Sequence, residues 1–159
     1  MIKGESSKPF PLNCGVPQGS VLGPILFTLY TSPLGDVVRQ HGVHFHLCAD
    51  DTQIYLALEP SDSDSQINTF AKLDRCVHDI AAWMKVNKLK LNHDKTEIIM
   101  FGTPKQLDMV PFETMNIGGM ELPIAKTARN LGLVMDANMT LASDISSISS
   151  ISKSAHYHL

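Results

Sequence analysis

At 159 residues the chain fits one domain with length enough for a core, and 43% hydrophobic against 18% charged residues excludes a disordered composition. A formal net charge of −3 speaks against a nucleic-acid binder held by overall basicity. Cys14, Cys48 and Cys76 are widely spaced, odd in number and without a CxxC pair, so a disulfide framework is excluded and a reducing interior fits best. Lys3, Glu5 and Lys8 leave no apolar leader, and the longest apolar run, 21–30, is about half of a membrane span. These features lead to the expectation of an intracellular protein, nuclear or cytoplasmic, with no membrane partner.

Residues 1–14 are polar and without a clear period, and 15–19 form a Gly/Pro loop. Ser20 is placed to cap a helix in which Val21, Leu22, Ile25, Leu26 and Leu29 recur at helical spacing and bury one face. Pro33 and Gly35 break it, and a short continuation carries Val37 and Val38. From Gly42 the period changes to two: Val43, Phe45, Leu47 and Ala49 alternate with His44, His46, Cys48 and Asp50, then Ile54, Leu56 and Leu58 alternate again. That predicts a β-hairpin with Asp50 and Asp51 at its tip, although Asp-Asp is a poor turn pair. An acidic loop, 59–64, leads into the longest helix, with Ile67, Phe70, Leu73, Val77, Ile80, Ala81 and Met84 as its stripe and an end near Val86. Extended chain at 89–91, a strand over 96–101, a second hairpin over 115–124 turning at Gly118-Gly119, and a short strand at 131–134 follow. Beyond Leu141, isoleucines recur among serines like the first turns of a helix.

Strand parity assigns His44, His46, Cys48 and Asp50 to one face, and Val43, Phe45 and Leu47 to the face packed on helices. Asp50 therefore points toward a polar cleft and Asp51 elsewhere, unless the turn redirects it. Paired carboxylates on a rigid hairpin are what two-metal nucleotidyl transfer requires, since the ions activate a 3′-hydroxyl and neutralise the departing pyrophosphate. An isolated Asp-Asp pair is far more often a polar turn; its context decides. Zinc on His41, His44, His46 and Cys48 lacks a second ligand pair and reads better as a polar strand face. Lys85, Lys88, Lys90 and Lys95 either contact phosphates or solvate a helix end, and both readings stand.

The context is the run Gly15-Val16-Pro17-Gln18-Gly19-Ser20-Val21-Leu22-Gly23-Pro24 upstream of His46-Leu47-Cys48-Ala49-Asp50-Asp51-Thr52-Gln53, followed by Lys95-Thr96-Glu97 within 89–101 and by Leu131-Gly132-Leu133-Val134-Met135-Asp136. In this order the four blocks resemble the reverse transcriptase domain of non-LTR, LINE-type retrotransposons over nearly the whole chain. The resemblance implies an α/β (α+β) palm, a small antiparallel sheet backed by two helices. It implies RNA-templated addition of dNTPs to a DNA primer with two Mg²⁺ ions. Asp50 would bind metal directly and Asp51 would support it. Gln18 and Gly19 would border the nucleotide, and Leu131, Gly132 and Leu133 would place the primer end. Lys95 would protonate pyrophosphate, or else is a solvated lysine.

Two departures shape the expectation. Cys48 stands where the family carries an aromatic residue before Ala-Asp-Asp. The family's first metal-binding aspartate lies in a strand before the Gly15 block, whereas residues 1–14 hold no aspartate and Glu5 is their acid. The sequence therefore reads as a partial palm over 1–141 with the start of a thumb helix over 142–159, inactive by itself. The alternative is a non-enzymatic remnant that binds nucleic acid or protein.

Overall fold

A computed structural model describes residue 11, residues 19–130 and residues 133–139. The expected loop at 15–18 and the helix beyond Leu141 lie outside the described residues. The fold is α+β. Its elements are α1 Gly23–Thr31, α2 Leu34–Gln40, β1 His44–Cys48, β2 Asp51–Tyr55, α3 Ser63–Val86, a 3₁₀ turn His93–Lys95, β3 Ile98–Ile99, α4 Pro104–Asp108, β4 Thr114–Ile117, β5 Met120–Ala125, β6 Thr127–Asn130 and β7 Leu133–Asp136.

The strands do not form the single antiparallel sheet expected. β1 pairs with β2, β6 pairs with β7, and a separate three-stranded sheet has the order β3-β5-β4. Within it β3 runs parallel to β5, because the chain passes through α4 and β4 before returning beside it. The strand expected over 96–101 shrinks to two residues. A 3₁₀ turn occupies His93–Lys95, and the chain past β3 leaves the sheet so that Gly102 N donates to Ala137 O at 3.0 Å.

α3 is the strut of the fold. Asp62 caps its start by accepting from Asp64 N at 3.0 Å. It ends in a Schellman motif: Leu89 N donates to Met84 O at 2.8 Å and Lys88 N to Lys85 O at 3.2 Å, with Lys88 in the left-handed region. One side packs on α2 and the first hairpin, where Leu34, Val38, Val43, Cys76 and Ile80 are buried and Phe45, Leu47, Ile54 and Leu56 close around them. The other side meets β4, whose hairpin with β5 buries Met115, Ile117, Met120 and Leu122. The buried positions of α3 are thus Gln66, Cys76 and Ile80, whereas Ile67, expected in the stripe, is 62% exposed.

Polar side chains of α3 fasten the loops. Lys72 Nζ donates to Gly42 O at 2.9 Å, His41 Nε2 meets Asp79 Oδ2 at 3.0 Å, and Gly118 N donates to Asp74 Oδ1 at 2.7 Å. The Gly118-Gly119 turn matches expectation, with φ +60° and +78° as a two-residue hairpin connection needs. At Gly118 an added Cβ would stand 2.6 Å from Val77 Cγ1, so the turn is pressed against α3.

α1 differs most from expectation. It begins at Gly23, not beside Ser20; Leu22 is its N-cap residue and no side chain caps it. A turn closed by Gly23 N to Ser20 O at 3.2 Å takes up the residues before it, and Pro24 suits the first helical turn because it lacks an N–H. None of its residues is buried, and Val21, Ile25, Leu26 and Leu29 stand exposed. The core under α2 closes without α1, which is held by Tyr30 Oη donating to Asn87 O at 2.6 Å.

Candidate active site

The hairpin register moves the tip by one residue. Cys48 pairs with Asp51, so the two linking residues are Ala49 and Asp50. Ala49 takes φ +53°, a conformation that costs a residue bearing a Cβ about 1–2 kcal/mol. The awkward turn pair is therefore Ala49-Asp50, not Asp50-Asp51, and backbone strain sits beside the carboxylates.

The register also corrects the face assignment. Residues directly opposite in an antiparallel pair share a face. His44 faces Tyr55, His46 faces Gln53 and Cys48 faces Asp51, so Asp51 stands on the outward face with His44, His46 and Cys48. Asp50 belongs to the turn. The opposite face carries Phe45, Leu47 and Ile54 into the core, as alternation predicts. His44 and Tyr55 stack at 5.5 Å between ring centroids, which stiffens the far end of this face.

Asp50 and Asp51 are both exposed, and among the described residues neither carboxylate engages in a hydrogen bond or ion pair. They leave adjacent backbone positions at the hairpin tip as unengaged oxygen donors, the ligand type that Mg²⁺ takes. Among the described residues no group of three or more His, Cys, Asp or Glu side chains could hold a metal. The hairpin therefore supplies two carboxylates of a ligand set, and the zinc reading finds no cluster.

The other expected residues are more scattered. Gly19 is exposed at φ +85° with open space around it, while Gln18 lies outside the described residues. Lys95 closes the 3₁₀ turn, exposed, with no bond to either aspartate. Leu133 opens β7 and is 53% exposed; Leu131 and Gly132 lie outside the described residues. Lys85, Lys88 and Lys90 are exposed around the end of α3. Cys76 is fully buried under α2, and that burial, with Asp79 nearby, pushes its thiol above the ordinary range. Sequence reading missed strand β6, which pairs Thr127–Asn130 with β7 and flanks the expected primer-end residues; its Thr-Ala-Arg-Asn run has no apolar alternation.

The hairpin-borne carboxylates and the ordered motif blocks define a class, that of nucleic-acid polymerase domains. A family model described as reverse transcriptase (RNA-dependent DNA polymerase) matches residues 1–135, and the chain belongs to this family. Among relatives from Drosophila melanogaster, it is 32% identical over 145 residues to the probable RNA-directed DNA polymerase from transposon BS, covering 87% of this chain and 15% of the relative. It is 28% identical over 137 residues to the probable RNA-directed DNA polymerase from transposon X-element, covering 84% and 14%. It is 24% identical over 152 residues to the RNA-directed DNA polymerase from mobile element jockey, covering 92% and 16%. The chain thus spans about one sixth or less of the length of these relatives, and corresponds to part of a retrotransposon reverse transcriptase domain. No solved structure gives a significant match. No helix among the described residues is long and apolar enough to cross a membrane.

Proposed function

We propose that this chain contributes the metal-binding hairpin of an RNA-directed DNA polymerase that extends a DNA primer on an RNA template. The observation that carries the reading is the pair of adjacent, exposed, unengaged carboxylates on the β1–β2 hairpin, inside a segment matched to the reverse transcriptase family. The residues fit a hard divalent cation such as Mg²⁺, which is commonly held by one or two carboxylates together with substrate phosphates. When bound, the metal supplies charge neutralisation at the transferring phosphate.

In this reading Asp50, free of the strand ladder in the turn, binds the ion. Asp51 supports it from the first residue of β2. The core face of the hairpin, packed on α2 and α3, holds both in place. By resemblance, Gln18 and Gly19 border the incoming dNTP, Leu131, Gly132 and Leu133 place the primer end, and Lys95 approaches the pyrophosphate. Among the described residues the hairpin presents two carboxylates, so a competent site draws on further ligands.

The test is primer extension on an RNA template by a polymerase carrying this segment, with Asp50→Ala and Asp51→Ala compared. A metal ligand is worth several kcal/mol of transition-state stabilisation, so the rate should fall on the order of a hundredfold or more for Asp50→Ala, and less for Asp51→Ala. Unchanged extension in both variants would overturn the assignment. RNA binding that persists with no extension in any protein carrying the intact hairpin would favour the non-enzymatic remnant.

A further inference from the structure

Away from the hairpin, the start of α3 and the chain leaving α4 border a shallow, open groove of about 560 Å³. Ile67, Met109 and Phe112 line it and are all exposed, Ile67 at 62%. Phe112 is held edge-on against Phe70 at 5.4 Å, so the apolar wall is fixed.

A buried amide opens into this groove. Gln66 is 5% exposed and lines it. Its Nε2 donates to Pro60 O at 2.8 Å and to Met109 O at 3.4 Å. Two carbonyl partners fix which end of the amide is nitrogen. The oxygen, Oε1, accepts from no donor among the described residues and is not sealed from solvent. An occupant that brings an N–H to this atom exchanges a hydrogen bond to water for one to protein.

The rim is acidic. Ser61 lines the groove and its hydroxyl donates to Glu59 Oε1 at 2.7 Å. Asp62 and Asp64 sit at the start of α3 on either side of lining residue Ser63, Asp108 and Glu113 are the chain neighbours of lining residues Met109 and Phe112, and all four are exposed; Lys105 lies in α4. Carboxylates next to the residues of both walls repel phosphate, which disfavours nucleic acid here.

We infer that this groove docks a protein segment presenting an apolar side chain flanked by lysine or arginine, with a backbone N–H of the segment donating to Gln66 Oε1. Basic flanks match the rim, the apolar anchor matches Ile67, Met109 and Phe112, and the N–H matches the unpaired acceptor. This rests on the groove alone and stands apart from the polymerase reading.

The probe is a fluorescein-labelled peptide of alternating leucine and lysine, titrated by anisotropy with shifts mapped by NMR. Shifts should be confined to residues 60–67 and 109–112. Ile67→Ser removes an exposed apolar contact without touching the core, and should weaken binding about tenfold. N-methylation of the central backbone amides should weaken it several-fold. A cooperative melt of Ile67→Ser confirms that the variant folds. Equal binding of a leucine–glutamate peptide, or indifference to both Ile67→Ser and N-methylation, would overturn the inference. So would a groove that responds to an RNA oligonucleotide, or one filled by a second copy in concentration-dependent self-association lost on Ile67→Ser.

Discussion

Gly118→Ala tests how α3 and the second hairpin are joined. Two penalties add. Alanine at φ +60° costs about 1 kcal/mol in the left-handed region, and its Cβ would stand 2.6 Å from Val77 Cγ1, a clash that forces repacking worth about 1–3 kcal/mol. The lower entropy of an unfolded alanine returns about 0.4–1 kcal/mol. The net loss is about 1–3.5 kcal/mol, a large share of a domain's roughly 5–15 kcal/mol. Gly119→Ala is the internal control. Its φ is +78° but nothing lies within 4 Å of the added Cβ, so it carries the backbone penalty alone, about 1 kcal/mol or less after the same offset. Urea unfolding with a shared slope separates the two, since about 2 kcal/mol moves the midpoint by roughly 1 M. Val77→Ala removes Cγ1 and leaves the side chain's Cβ at 3.4 Å, so in that background Gly118→Ala should cost little more than Gly119→Ala. Equal costs for the two glycine variants in the native background would refute the reasoning.

Other predictions concern the site and the exposed helix. Ala49→Gly relieves about 1–2 kcal/mol of strain at the hairpin tip against about 0.4–1 kcal/mol of added freedom in the unfolded chain, and should leave stability unchanged or raise it by up to about 1.5 kcal/mol; a lowered midpoint would show that the turn is not strained. In the folded chain, iodoacetamide should modify half-exposed Cys48 well before buried Cys76, and mass spectrometry of the digested product reads the order. Because the native Cys76 thiol is held above its ordinary range, stability should be full below the unfolded thiol's range and fall as pH rises from there through the raised native value; a melting temperature flat across that window would contradict this. Ile25→Ser and Leu29→Ser lie on the exposed stripe of α1 and should each change stability by no more than about 0.5 kcal/mol, whereas Leu34→Ala in the core should cost about 2–5 kcal/mol.

The parts legible in the sequence were those with an unambiguous period or turn chemistry. Alternation from Val43 to Leu58 gave the first hairpin and its core face, and Gly118-Gly119 located the second turn. Register at the tip was not legible, since Ala49-Asp50 and Asp50-Asp51 are both unfavourable turn pairs, and a one-residue slip exchanges the faces of the two aspartates. The apolar stripe of α1 was read as buried because periodicity reports amphipathicity, not the presence of a partner. α4 was missed although Thr103-Pro104-Lys105-Gln106 carries its signal: Thr103 and Gln106 form a reciprocal capping box with proline in the first turn. The groove beside Gln66 had no sequence signal, because its walls lie more than forty residues apart and its polar feature is an ordinary glutamine.

Manganese titration followed by amide line broadening tests the central claim most directly. Mn²⁺ replaces Mg²⁺ at oxygen ligands, and its unpaired electrons broaden nearby amides. A metal held by the hairpin tip predicts selective broadening of residues 48–52 that Asp50→Asn with Asp51→Asn abolishes while the fold persists. Broadening centred on the acidic rim near Glu59 and Asp62, with the hairpin amides sharp and indifferent to the paired substitution, would contradict it.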